Sequence, residues 1–157
     1  MKNLRTVIFI AGICLASAQS FAQNDKIPIN EPDYNKPRLF DNLPARIAIT
    51  PAELENVVNT QVGKPATIKF ASESSLQFDG QVVSVSDNND SKFQSVVVRS
   101  ANFPGANLTV SKILNDDGSY SYTGRIISFQ HGDLFELKKE NGGYVLVKRN
   151  FYDLVNE

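Results

Sequence analysis

Residues 107–129 constrain the fold of this chain more than any other stretch. Two runs of alternating side chains flank Asn115-Asp116-Asp117-Gly118. Gly118 can take the positive φ that closes a tight loop, and Asp116 and Asp117 suit the positions before it. With Asp116-Asp117-Gly118 as a three-residue loop, Asn115 faces Ser119, Leu114 faces Tyr120, Lys112 faces Tyr122, Val110 faces Gly124 and Leu108 faces Ile126. One face then collects Leu108, Val110, Leu114, Tyr120, Tyr122 and Ile126. The other collects Thr109, Ser111, Ser121, Thr123 and Arg125. A half-buried antiparallel pair requires such a split. Gly124 interrupts the pattern, and a bulge or sharp twist is expected near it.

The same signals recur on both sides. Residues 67–71, 76–85 and 93–101 read as strands, the last through the β-branched run Val96-Val97-Val98. Gly80 reads as a bend. Residues 134–140 and 144–149 form a final hairpin around Asn141-Gly142-Gly143. Its register is open: a two-residue loop pairs Leu137 with Leu146, and a three-residue loop pairs Leu137 with Val147. Residues 151–155 can close the chain as a short helical turn. Thr50-Pro51-Ala52-Glu53 is a helix start, with Thr50 as N-cap, Pro51 at the first helical position and Glu53 completing a capping box. Leu54, Val57 and Val58 share one face of that helix. Gly63 and Pro65 end it after about three turns. The expected fold class is α+β: one N-terminal helix packed on an antiparallel β-meander of about seven strands, as a roll or partly open barrel. In outline this is similar to cystatin-like folds and to some protease pro-domains, with no motif from which residues could be transferred.

The N-terminus predicts a compartment. Lys2 and Arg5 precede an apolar run at residues 7–18, broken only by Ser17, and Ser20-Phe21-Ala22 places small residues at the cleavage subsites. This is the pattern of a cleaved signal peptide, and the run is short of the roughly 20 apolar residues that span a bilayer. The expected organisation is therefore a signal peptide at 1–22, a Pro-rich extended arm at 23–44 and a single α+β domain at 45–157. Ile27, Ile29, Tyr34, Leu39 and Phe40 are interleaved in the arm, so it is expected to be a flexible tether whose later part docks on the domain, or else a segment that binds a partner. The destination is periplasmic or extracellular. Cys14, the one cysteine, lies inside the apolar run after the bulky Ile13, which argues against a lipid anchor. Cleavage before Gln23 leaves 135 of the 157 residues and no thiol, so disulfides, cysteine nucleophiles and cysteine–metal sites are excluded from the exported form. Removing Lys2 and Arg5 from the 16 basic residues leaves 14 against 17 acidic ones. No basic excess points to nucleic acid or to an anionic membrane. No second run is long enough for a transmembrane segment.

Candidate chemistry is sparse. His131 is the single histidine, and His131-Gly132-Asp133 places an imidazole near a carboxylate. As a general acid/base pair these two would need an orienting group and a pocket. A polar loop between strands is the plainer reading. A calcium loop starting at Asp87 would want Gly and Glu at its sixth and twelfth positions, which hold Lys92 and Val98. No Gly-x-Ser-x-Gly elbow or phosphate-cradling glycine loop is present. No catalytic, cofactor-binding or metal-ligating residue is assigned. Tyr120, Tyr122, Phe129, Phe135 and Tyr144 lie along neighbouring strands as a candidate binding surface, or else as core. The function expected first is a non-catalytic binding or accessory module, inhibitor-like or pro-domain-like, whose partner is another protein. The second is a carrier of a small apolar ligand in a curled sheet. A hydrolase using His131 and Asp133 comes third.

Overall fold

A computed structural model describes residues 33–70, 76–87 and 92–154. The expected signal peptide, the expected arm before residue 33, residues 71–75 and 88–91 and the chain beyond Leu154 lie outside the described residues. Eight strands form one antiparallel sheet: β1 (Arg46–Ile49), β2 (Pro65–Lys69), β3 (Gln77–Asp87), β4 (Phe93–Ser100), β5 (Asn107–Leu114), β6 (Tyr120–Ile127), β7 (Asp133–Glu140) and β8 (Gly143–Asn150). The helix α1 (Pro51–Val58) lies between β1 and β2, and a 3-10 turn, Phe151–Leu154, follows β8. The sheet order is β1-β8-β7-β6-β5-β4-β3-β2. Strands β2 to β8 are thus an up-and-down meander, and β1 comes back to pair with the last strand. The sheet curls into a half-barrel. Because β1 and β2 are opposite edges, α1 must cross the inner face to join them, and it packs on β2, β4 and β5.

An α+β chain dominated by antiparallel sheet is what the alternation implied. Among the described residues the count rises from about seven strands to eight, and a strand precedes the helix. Strand β1 is only four residues long, and its partner register, Arg46↔Val147 to Ile49↔Tyr144, lies at the far end of the sequence. A strand that short has little signal of its own.

The central hairpin has the expected register throughout, Leu108↔Ile126, Val110↔Gly124, Lys112↔Tyr122 and Leu114↔Tyr120. Its loop closes with Gly118 N–H to Asn115 O at 3.0 Å and Asn115 N–H to Ser119 O at 2.8 Å, and Gly118 sits at φ 81°. The bulge expected near Gly124 is absent: pairing runs through that residue without a shift. Close approach explains the glycine instead, since a Cβ there would stand 2.4 Å from the Thr109 carbonyl oxygen. The register shift occurs in β3, between Val82 and Ser84. Gly80 lies within β3 rather than at a bend, and its Cβ would stand 2.3 Å from the Arg99 carbonyl oxygen. The final hairpin pairs Leu137 with Leu146 around Asn141 (φ 47°) and Gly142 (φ 80°). Two consecutive positive φ values define a type I′ turn, whose twist matches that of the flanking strands.

Helix α1 runs for eight residues, about two turns rather than three. Thr50 Oγ1 accepts from the Glu53 N–H at 3.2 Å, with Pro51 at the start. The capping box is only half formed, because the Glu53 carboxylate accepts from the Lys69 N–H at 3.4 Å across to β2. Leu54, Val57 and Val58 are buried as expected, under inward-facing Val96, Val98, Leu108 and Val110. The rest of the inner face is closed by Phe40, which precedes β1. Its ring centroid lies 5.2 Å from Phe135 and 5.4 Å from Phe103.

Comparing two glycines tests the close approach in β6. Gly124→Ala forces a methyl group against a backbone carbonyl and is expected to cost about 2–3 kcal/mol. Gly118→Ala, which meets no atom but strains the left-handed turn, should cost about 1 kcal/mol. Urea denaturation midpoints give both values, and equal losses would sink the explanation.

Candidate functional site: a basic and aromatic trough beside the N-terminal strap

Residues 33–45 form a strap along the ends of β7 and β8. Repeated proline prevents these residues from entering the sheet as a strand, so their backbone groups need other partners. Gly132 N–H donates to Pro37 O at 2.9 Å, and Lys148 N–H donates to Ala45 O at 2.8 Å. The centre is gripped by charge. Asp133, 1% exposed, accepts from the Leu39 N–H at 2.7 Å on Oδ1 and from the Phe40 N–H at 2.9 Å on Oδ2. Lys148 Nζ donates to Phe40 O at 2.5 Å and Leu43 O at 2.6 Å. A carboxylate and an ammonium thus hold the two polar ends of the Phe40 backbone while its ring plugs the core. Lys148 is turned inward because it pairs in register with buried Phe135.

Two adjoining recesses lie against the strap. One, of about 240 Å³, is lined by Arg38, Lys148, Arg149 and Asp153 among others. The other, of about 280 Å³, is lined by Tyr34, Lys36, Gly132 and Tyr152, and the two share Arg38, Asn150 and Asp153. An aromatic row borders them. Tyr34 and Tyr152 have centroids 4.7 Å apart, Tyr152 and Phe151 5.7 Å, and Phe151 and Phe129 6.0 Å. Lys36 Nζ stands 5.0 Å from the Phe151 ring centroid and donates to Phe129 O at 2.9 Å. The Tyr152 hydroxyl donates to Asp33 O, which fixes the entry of the strap. Tyr34 and Phe129 nevertheless remain 71% exposed.

The five aromatics singled out in the sequence do not form one surface. Phe135 and Tyr144 are core, and the Tyr144 hydroxyl accepts from the Tyr122 N–H at 3.0 Å. Tyr122 is half-buried at the other end of the half-barrel, and its hydroxyl bonds to the Glu55 carboxylate on α1. Tyr120 is 48% exposed, with Lys112 Nζ 4.1 Å from its ring centroid. Only Phe129 belongs to the row beside the strap. His131 and Asp133 are bonded apart: the Asp133 oxygens are taken by the strap, and His131 Nδ1 is 2.8 Å from Ser128 Oγ. Ser128 is sealed from solvent, and His131 N–H donates to Ser128 O at 3.2 Å, so this contact braces the β6–β7 turn. Among the described residues no three His, Cys, Asp or Glu side chains gather as a metal cage. Lys36, Arg38, Asn150, Tyr152 and Asp153 were not singled out in the sequence, whereas Tyr34, Leu39 and Phe40 were expected to dock the later part of the arm on the domain, as Phe40 does.

The second polar cluster supports the helix. Glu55 accepts from Lys112 Nζ at 2.6 Å and from the Tyr122 hydroxyl. The bond from Lys112, then that from Tyr122, holds the Glu55 carboxyl down at about 2, against an ordinary value of 4.5. Burial, followed by the bond to Glu55, raises the Tyr122 phenol above its usual value. Comparison with family models, curated proteins and solved structures finds no match for the chain.

The Glu55 cluster sets a pH dependence. Its carboxyl titrates lower in the folded than in the unfolded chain, so the unfolded chain binds more protons between about 2 and 4.5. The stabilisation is complete above 4.5 and falls away as the pH drops through about 2. Water screens part of it, because the Glu55 side chain is 36% exposed. In Glu55→Gln the slope of unfolding free energy against pH in that window should flatten, and an unchanged slope would contradict the assignment. A larger loss is expected at the strap. Asp133→Ala strands the buried Phe40 N–H and the part-buried Leu39 N–H and should cost about 3 kcal/mol in urea denaturation, and a cost below about 1 kcal/mol would show that the grip is dispensable.

Proposed function

We propose that this chain is an exported, non-catalytic binding module, with the helix-on-meander roll as scaffold and the strap end as its contact surface. One observation carries the reading: a contiguous row of four aromatic rings, two of them largely exposed, is fixed beside two open recesses. Tyr34 and Phe129 are the exposed ends of this row, joined through half-buried Phe151 and buried Tyr152, and apolar groups gathered in one place mark surfaces that meet another molecule. Fixing them in advance lowers the ordering cost of binding. Lys36 holds the Phe129 backbone by donating to its carbonyl. The carrier reading draws less support, since Phe40, Phe78, Phe103 and Phe135 occupy the inner face where an apolar ligand would lie.

The test is site-resolved cross-linking in the native envelope and medium. A photo-reactive benzophenone side chain placed at Tyr34 should yield a discrete adduct, and the same group at Thr123, on the outer face of β6, should not. Arg38→Glu should suppress the adduct. Equal yields from both positions, or none from either, would overturn the proposal.

A further inference from the structure

The charges of the trough narrow the choice of partner. The whole chain has a formal net charge of −1, yet Lys36, Arg38, Lys148 and Arg149 border the two recesses against only Asp133 and Asp153. Asp133 is spent on the strap. Asp153 accepts on Oδ2 from Asn150 N and Nδ2, each at 3.3 Å, and is the one exposed carboxylate in the lining against the four basic groups. Lys148 and Lys36 are likewise spent on carbonyls. The two arginines are not. Arg38 lies 3.9 Å from Asp41 and 3.5 Å from Asn150 Oδ1, with its side chain 55% exposed. Arg149 Nε lies 3.6 Å from Glu136, with its side chain 44% exposed. These separations are at or beyond hydrogen-bonding range, and each guanidinium carries five donors suited to a carboxylate. Both arginines line the same recess.

The recess on the other side of Arg38 is walled by Tyr34 and Tyr152. Each recess is smaller than the roughly 300–1,000 Å³ that encloses a drug-sized ligand, so each suits one side-chain-sized group. A ligand using both must span them with an acidic group on one side and an apolar group on the other. The ring geometry favours an amino-acid side chain over a sugar. Tyr34 and Tyr152 are inclined at 51°, and the Phe129–Phe151 and Phe151–Tyr152 pairs at 74° and 75°. Rings so crossed offer notches rather than the flat platform on which a pyranose face stacks.

We propose, resting on the binding-module reading, that the trough takes an extended acidic segment of another polypeptide. A carboxylate is seated between Arg38 and Arg149, and a neighbouring aromatic or branched side chain is seated against Tyr34 and Tyr152. This is recognition of an acidic motif by arginines with an aromatic anchor.

The test is a fluorescence anisotropy titration of the full chain with a fluorescein-labelled octapeptide of alternating glutamate and phenylalanine. Comparison ligands are the lysine–phenylalanine octapeptide, oligogalacturonate and anionic phosphatidylglycerol vesicles. The acidic peptide should bind at least tenfold more tightly than each of these. Arg38→Glu and Tyr34→Ala should each weaken it tenfold or more, whereas Arg125→Glu, exposed on the outer face of β6, should leave it unchanged. Absence of peptide binding, equal binding by Arg38→Glu, or tighter binding of oligogalacturonate or vesicles overturns the polypeptide assignment. If any of these occurs while the Tyr34 cross-link persists, the module reading stands and only the partner class falls. Loss of the cross-link removes both.

Discussion

The grip of Asp133 and Lys148 on Phe40 links the strap to the core. A phenylalanine ring closing one end of a curled sheet brings its own backbone into a water-poor setting, where unpaired N–H and C=O groups cost free energy. Here the carboxylate takes the two N–H groups and the ammonium takes the carbonyls. Each charge is thereby compensated by dipoles rather than by the other. This differs from a buried ion pair, whose desolvation penalty can exceed its attraction. The arrangement seats the strap firmly enough for its outer side to form one wall of the trough.

The two ends of the half-barrel follow different rules. At the hairpin end, the Glu55–Lys112–Tyr122 cluster fastens α1 to β5 and β6, and its three groups satisfy one another. At the strap end, Asp133 is consumed by backbone while Arg38 and Arg149 keep weak contacts and open exposure. Both ends are polar and both carry tyrosines. Tyr120 keeps an exposed ring at the first, and the second combines exposed rings with two weakly paired guanidinium groups beside recesses.

His131 and Asp133 illustrate the limits of local motifs. Their spacing suggests an acid–base pair, but the chain turns between them. Asp133 opens β7, where its inward position meets the strap, and His131 stays in the turn with Ser128. The five aromatics show the same effect on a larger scale. Inward parity takes Phe135 and Tyr144 to the core, Tyr122 to the helix and Tyr120 to the rim, and Phe129, beyond the end of β6, falls to the strap side.

What could be read along the chain was whatever depends on neighbours in sequence. The central hairpin and its register, the Thr50 cap, the buried face of α1 and the antiparallel character all follow from period, turn chemistry and capping within a few residues. The final hairpin stayed open until Leu137 and Leu146 had a common core to face. Strand β1, the purpose of Gly124 and the trough were decided by tertiary structure alone. Strand β1 and the trough arise where segments far apart in sequence meet, Ile47 beside Leu146 and residues 34–38 against residues 149–153, and Gly124 is required by the close approach of the Thr109 carbonyl across its own hairpin. Periodicity reports which side of an element is apolar. It carries no information about which distant backbone will come to lie against that side.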